Sequence, residues 1–159
     1  LIDWVGQDAV RFFLIQRRAD TEFTFDVDLA LAKSSDNPVY YIQYAHARIC
    51  KILRDSAVST TDLQKANAAL LVAPTELTLL KRLTELPNMI QLATKELGPH
   101  YIAFWLLDLA TDFHAWYTAE RMMIEDSELK LARLALADAT RQVIANGLDL
   151  LGVSSPEQM

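Results

Sequence analysis

Apolar residues recur at intervals of three and four along most of the chain, and this spacing constrains the fold more than any other feature. A repeat of this kind places apolar side chains on one face of an α-helix. The 159 residues include only four Gly and five Pro, too few for the frequent turns of an all-β protein. Because 52% of the residues are hydrophobic, the chain can bury one core. We therefore predict an all-α helical bundle.

Gly, Pro and capping residues divide the chain into predicted helices. Asn37 followed by Pro38 marks one helix start, because Asn caps a first turn and Pro fits its first position. A domain boundary is predicted near residue 35, in the polar stretch before this start. We predict helices over residues 7–18, 28–33, 38–55, 63–71, 75–85, 87–97 and 99–123, and one long final helix from about 127.

Two further patterns refine this prediction. Residues 21–26 alternate polar and aromatic side chains, which predicts one short extended segment in front of the bundle. Asp26 and Asp28 could be paired catalytic carboxylates, but no nucleophile or base accompanies them, so they are expected to have a cap or loop role. The final helix is predicted to bury one stripe of apolar residues, namely Leu129, Ala132, Leu136, Ala139, Val143 and Leu150.

Charge and cysteine content limit the classes of function. The net charge of −6 disfavours nucleic-acid binding, but residues 1–36 and 122–159 carry −3 each, whereas residues 37–121 carry eight acids and eight bases. The single cysteine, Cys50, excludes a disulfide framework and is predicted to be a packing residue. No apolar run approaches the roughly 18 residues of a membrane span. We expect no signal peptide, and we expect the chain to be part of a longer protein.

Four side chains share one stripe of the predicted helix over residues 38–55. Tyr41, Tyr44, Arg48 and Lys51 lie beside its apolar face when plotted at 100° per residue. Aromatic rings stack on unpaired bases and cations pair with phosphates, so this combination is typical of single-stranded RNA binding. Alternatively, the tyrosines rim the core with their hydroxyls in water, and the basic residues are merely solvated.

The helix predicted over residues 99–123 also carries an aromatic and a basic side chain beside its apolar face. Tyr117 and Arg121 lie at the edge of its apolar face, with His114 beyond them. We interpret His46 and His114 as hydrogen-bonding residues at helix edges, because the three histidines lack the spacing of a metal site. The sequence holds no Gly-rich phosphate loop and no nucleophile with a neighbouring base, so it offers no complete active site.

Several blocks of the chain resemble a known family. Residues 6–13, Gly-Gln-Asp-Ala-Val-Arg-Phe-Phe, are similar to the signature after which the DALR anticodon-binding domain is named. Residues 25–30 and 36–48, the latter containing Asn-Pro-Val-Tyr-Tyr and Ala-His-Ala-Arg, resemble bacterial-type arginyl-tRNA synthetases. The final segment, through Asn-Gly-Leu-Asp-Leu-Leu-Gly to Met159, is similar as well. By this resemblance the chain is identified as a member of that family.

The resemblance implies that the chain contains parts of two domains with different roles. Residues 1–34 would end the catalytic domain and its stem-contact connection, and residues 35–159 would form the DALR anticodon-binding bundle. The whole enzyme would attach arginine to its tRNA with ATP and magnesium in the cytoplasm, and would be a monomer. This chain lacks the two ATP-binding motifs, of His-Ile-Gly-His and Lys-Met-Ser-Lys type, so it should bind no cofactor and should be inactive alone. Its partners would be the arginine tRNA and the catalytic domain of the same chain.

The resemblance also implies site residues. Tyr41, Tyr44 and Arg48 would face the anticodon loop, Tyr117 would stack on or enclose a base, and Met159 would close that pocket. Further contacts are expected, from their position on the helical wheel, at Asn37, Gln43, His46 and Arg121. No catalytic or metal-binding residue is expected.

Another class of function stays open on the residues alone. An acidic helical bundle could dock a partner protein through the same tyrosine edges, because Tyr and Arg are enriched at protein interfaces. The dependence of binding on salt separates the two, because phosphate contacts weaken steeply as salt rises.

Overall fold

The computed structural model describes residues 1–159 and contains helices but no strands. No helix combines the length and hydropathy that a membrane span requires. The α-helices are α1 (Ile2–Val5), α2 (Gln7–Ile15), α3 (Val27–Leu31), α4 (Pro38–Ser56), α5 (Thr60–Leu63), α6 (Pro74–Thr84), α7 (Leu86–Lys95), α8 (His100–Ala119) and α9 (Ser127–Leu150), and residues Ala68–Leu70 form a 3₁₀ turn. The predicted all-α bundle is confirmed.

The three longest helices form the centre of the bundle. Helix α4 packs on both α8 and α9, and α6 and α7 cover another side of α8. The apolar faces of these helices form the core: Ile42, Ala45 and Ile49 of α4 are fully enclosed, as are Leu109 and Phe113 of α8, whereas Ile52 and Leu53 near the end of α4 are partly buried. The small helices α1–α3 pack in front, and α2 contacts α4 and α8, so its apolar face joins the same core.

The start of α4 follows the predicted chemistry. The Asn37 side chain accepts from the N–H of Tyr40 and caps the helix, with Pro38 at the first helical position. Its Nδ2 also donates to the carbonyls of Ala30 and Ala32, at 3.0 and 2.9 Å, which fixes the end of α3 against α4. Asn37 is only 3% exposed. This residue therefore holds two helices in place by hydrogen bonds.

Residues 21–26 form neither a helix nor a strand, so the predicted extended segment does not pair into a sheet. A strand needs a neighbouring strand to accept its backbone hydrogen bonds, and an all-helical fold supplies none. The alternation instead half-buries two aromatic rings, with the Phe25 ring centroid 5.5 Å from that of Phe13. Asp26 caps α3 by accepting from the N–H of Leu29, as expected.

Three helix predictions need correction, the first being the helix over residues 7–18, since α2 already ends at Ile15. The predicted helix over 63–71 is replaced by α5 and the 3₁₀ turn, because Ser59 and Asn67 cap two separate short starts. Helix α8 ends at Ala119, not Met123, and the next residue, Glu120, has extended backbone angles. Its carboxylate is bound by an arginine of α9, so a tertiary contact coincides with the helix end.

The buried stripe of α9 also differs from the prediction. Ala132 and Leu136 are buried, but Leu129 and Val143 are only partly buried, and Ala139 and Leu150 are exposed. Several elements cover this helix from different sides, so its buried face is broader than one stripe and is turned by about one residue. The further buried residues are Arg133, Leu134, Ala137, Thr140, Ile144, Gly147 and Leu148.

Candidate nucleic-acid interface

The tyrosines and the arginine predicted on α4 meet a tyrosine of α8. The guanidinium carbon of Arg48 lies 4.5 Å from the ring centroid of Tyr44 and 4.6 Å from that of Tyr117. Arg48 Nη2 also donates to the Tyr44 hydroxyl at 2.7 Å. The cation thus contacts both rings, an arrangement that is attractive because each ring face is negative. We call Tyr44, Arg48 and Tyr117 the aromatic–arginine cluster.

Residues four apart on α4 lie on the same face of the helix, and this spacing aligns the α4 residues of the cluster. Tyr40 and Tyr44 are four residues apart, and their rings stack with centroids 6.0 Å apart and planes 7° from parallel. Arg48 follows one further turn along the helix. Tyr40 is not among the residues predicted from the sequence, although its spacing of four from Tyr44 indicates that the two share one face of the helix.

His114 lies behind the cluster, between α8 and α4. Its ring centroid is 4.5 Å from that of Tyr41 and 5.9 Å from that of Tyr44. The His114 Nδ1 accepts from Arg48 Nη1 at 3.3 Å. Burial, and secondly the positive charge of Arg48, lower the pKa of His114 to about 4. The imidazole is therefore neutral at physiological pH.

The last residues of the chain are tied to α4. Gln43 Nε2 donates to the carbonyl of Ser154 at 2.9 Å, and His46 Nδ1 donates to the carbonyl of Pro156 at 2.9 Å. Arg54 Nη1 donates to the carbonyl of Glu157 at 3.4 Å. The segment over residues 153–159 is thus held along α4, although it has no regular secondary structure.

Met159 is carried by this segment to the aromatic–arginine cluster. A cleft of about 540 Å³ opens beside the cluster and is lined by Tyr44, Arg48, Tyr117 and Met159. The Met159 side chain is half exposed, as is that of Tyr117, so both can contact a ligand. The structure thereby brings together four of the predicted site residues from three separate parts of the sequence.

Three other predicted residues lie inside the protein. Asn37, Gln43 and His46 are 3%, 9% and 3% exposed, and all use their side chains for internal hydrogen bonds. Burial, the largest influence, lowers the pKa of His46. The prediction that His46 is a hydrogen-bonding residue is confirmed, and Cys50 beside it is buried as expected. We leave Asn37, Gln43 and His46 out of the contact surface because they are not accessible.

Arg121 lines a second cleft, which adjoins the first and shares Tyr117 with it. This cleft measures about 410 Å³ and also includes Ile52 and Met123. The Arg121 side chain is exposed and forms no ion pair, whereas its carbonyl accepts from Arg133. Arg121 is therefore a cation available to a ligand next to the cluster.

The charge around the main cleft is more positive than the chain as a whole. Among the side chains of its lining are the bases Arg48, Lys51 and Arg54 and the acids Asp55 and Glu157, so the side chains carry one cation in excess. Lys51 and Asp55 form an exposed ion pair at 2.6 Å. In a chain of net charge −6 this face is thus a favourable one for a phosphate backbone. No group of three or more His, Cys, Asp or Glu side chains is arranged to hold a metal ion.

Comparison with known proteins gives a consistent family. A family model for the DALR anticodon binding domain matches residues 42–159. The chain is 64% identical, over its whole length, to an arginine–tRNA ligase of Bordetella pertussis, and 55% identical to one of Thiobacillus denitrificans. It spans 28% of the length of each of these relatives.

Solved structures show the same likeness. The chain superposes on an arginyl-tRNA synthetase of Thermus thermophilus with a TM-score of 0.85 and 30% identity, covering 98% of this chain and 27% of that one. With a Campylobacter jejuni protein assigned as an arginyl-tRNA synthetase the TM-score is 0.92 at 27% identity, covering 99% of this chain and 34% of that one. The helical fold described above is therefore shared with these proteins.

Proposed function

Because the chain belongs to the DALR anticodon-binding domain family, we propose that it recognises the anticodon loop of an arginine tRNA as one part of an arginine–tRNA ligase. The observation that carries this proposal is the aromatic–arginine cluster opening onto a cleft. Unpaired bases of an RNA loop offer π-faces and phosphates, and the cluster supplies aromatic rings and a cation for both.

Each accessible residue has a role in this proposal. Tyr44 and Tyr117 provide stacking surfaces for a base that enters the cleft. Met159 closes one side, because a flexible thioether adapts to a flat ring. Arg48 and Arg121 pair with phosphates or base edges, since a guanidinium donates in a planar fork. Tyr41 supports the cluster through its contact with His114.

The chemistry of the proposed ligase belongs to the part of the protein outside this chain. There, arginine would be joined to its tRNA with ATP and magnesium, while this chain would bind no cofactor and would supply recognition only. Residues 1–34 would connect to the catalytic domain, and residues 35–159 would form the anticodon-binding bundle. We propose a monomer that works in the cytoplasm, where translation takes place.

Two substitutions in the full-length protein test this function. Stacking on an unpaired base is worth about 1–3 kcal/mol, so Tyr117→Ala should weaken binding of the arginine tRNA about tenfold or more. Arg48→Ala should weaken binding and also reduce the slope of log affinity against log salt by about 0.7, because one phosphate contact with a single strand is lost. Fluorescence anisotropy at four salt concentrations measures both effects.

Phe104→Ala is the matched control. Phe104 is a half-exposed aromatic residue on the same helix as Tyr117, but it lies 13 residues earlier, about 20 Å along the axis. This variant should bind the tRNA like the unmodified protein. Unchanged affinity for Tyr117→Ala and Arg48→Ala together would contradict the proposed function and leave the docking of a partner protein as the better explanation.

A further inference from the structure

Arg48 contacts three side chains, Tyr44, Tyr117 and His114. Only His114 lies outside the cleft in which an RNA loop would bind. Tyr44 and Tyr117 line the open cleft, where a ligand would meet them. His114 does not line that cleft, and it contacts Arg48 from the side of α8 that faces α4. Its contribution can therefore be separated from direct binding.

An arginine side chain has many rotamers, so a defined position must be imposed by its neighbours. Immobilising such a side chain costs conformational entropy, and a side chain fixed in advance does not lose that entropy on binding. In this protein the guanidinium is fixed in the free state, because Nη2 bonds to Tyr44 at 2.7 Å and Nη1 bonds to His114 at 3.3 Å.

The bond to His114 requires one form of the imidazole. Arg48 can only donate, so the Nδ1 of His114 must accept and the ring must be neutral, with its proton on Nε2. Nε2 is buried and forms no hydrogen bond of good geometry. Although burial lowers the pKa of His114, the backbone of Tyr41 is close enough to the imidazole to oppose this shift as a hydrogen-bond partner, so this contact and the packing of neighbouring rings together hold the ring in place.

The rings around His114 supply that packing. Tyr41 lies 4.5 Å away and Phe113 5.3 Å away, measured between ring centroids, and Phe113 is fully buried. The imidazole is thus clamped between the core of α8 and the aromatic side of α4. Its Nδ1 faces the guanidinium as a fixed acceptor.

We propose that His114 is a positioning residue that holds the guanidinium of Arg48 against the rings of Tyr44 and Tyr117, ready for an RNA loop. This inference rests on the proposed function. It assigns His114 no contact with RNA, so its effect on binding must pass through Arg48.

The experiment is a double-mutant cycle in the full-length protein with the arginine tRNA as probe. His114→Leu removes the acceptor and keeps an apolar side chain, and should weaken binding about three- to tenfold, the effect of one hydrogen bond of ordinary strength, because the 3.3 Å contact is long. His114→Asn is the matched variant, because its Oδ1 can take the place of Nδ1, and it should bind within about twofold of the unmodified protein. In an Arg48→Ala background, His114→Leu should have no further effect.

The outcomes distinguish the two proposals. If Arg48→Ala weakens binding but His114→Leu does not, the positioning role is overturned and the proposed function stands. If His114→Leu weakens binding equally in both backgrounds, or if the Asn variant binds as poorly as the Leu variant, His114 does not act through Arg48 and the inference is wrong. If Arg48→Ala and Tyr117→Ala both bind the tRNA normally, the proposed function is contradicted, and the positioning role that rests on it is overturned as well. Melting temperatures of all variants identify effects that come from unfolding.

Discussion

Replacing Arg133 by Met tests how far the bundle depends on its buried ion pairs. Arg133 Nε donates to Glu76 at 2.7 Å, Nη2 donates to Glu120 at 2.6 Å, and Nη1 donates to the carbonyl of Arg121 at 2.7 Å. Glu76 is 1% exposed, and its other oxygen accepts from the N–H of Ala73. Methionine fills much of the same space but leaves the Glu76 carboxylate buried without a cation.

The expected loss is large because an uncompensated charge in the interior is costly. Removing one partner of a buried pair typically destabilises a protein by about 3–5 kcal/mol. With an m-value of about 2 kcal/mol/M, the midpoint of urea unfolding should fall by about 2 M. Circular dichroism of the 159-residue chain in urea measures this midpoint.

The control is a double substitution that removes the charge as well as its partner. Glu76→Gln with Arg133→Met keeps an acceptor for the N–H of Ala73 but leaves no ion, so the double variant should be more stable than Arg133→Met alone. A loss below about 1 kcal/mol for Arg133→Met, or a double variant no more stable than the single one, would refute this reasoning.

Three further predictions concern pH, the chain reversal after α9 and the cleft. The pKa values of His46 and His114 are lowered in the folded chain, that of His114 to about 4, so the unfolded chain binds protons first as pH falls. The free energy of unfolding should therefore fall by about 1–2 kcal/mol between about pH 6.5 and pH 4, a value reduced to allow for the partial exposure of the His114 ring. Urea titrations at each pH measure this change. Gly152→Ala should cost about 1–3 kcal/mol in thermal melts, because φ is +65° and the added Cβ would collide with the Arg11 guanidinium. Met159→Ala should weaken tRNA binding about two- to tenfold in anisotropy titrations while stability changes by less than about 0.5 kcal/mol, since the side chain is half exposed. Full affinity in the Met159 variant would remove this residue from the site.

The sequence alone determined the fold class and most of the helices. Helix starts were predictable at Asn37 and Asp126, because an N-cap acts on backbone groups within its own first turn. The apolar face of α4 was predictable too, since 100° per residue fixes which side chains share a face. These are local properties, and local residues are sufficient to set them.

The tertiary structure decided which element covers each face. Gln43 and His46 lie on a face of α4 that the sequence suggested for RNA, yet the segment over residues 153–159 covers it and takes their hydrogen bonds. No local pattern could indicate this, because the partners are separated by about 110 residues.

The candidate site itself combines both kinds of information. The sequence placed Tyr44 and Arg48 on one edge of α4 and Tyr117 on an edge of α8. That these edges meet around one guanidinium, with His114 behind it and Met159 beside the cleft, follows from the packing of α4 on α8 and from the tethered final segment. Helical periodicity determines the face that a side chain occupies, whereas its neighbours across that face depend on long-range packing.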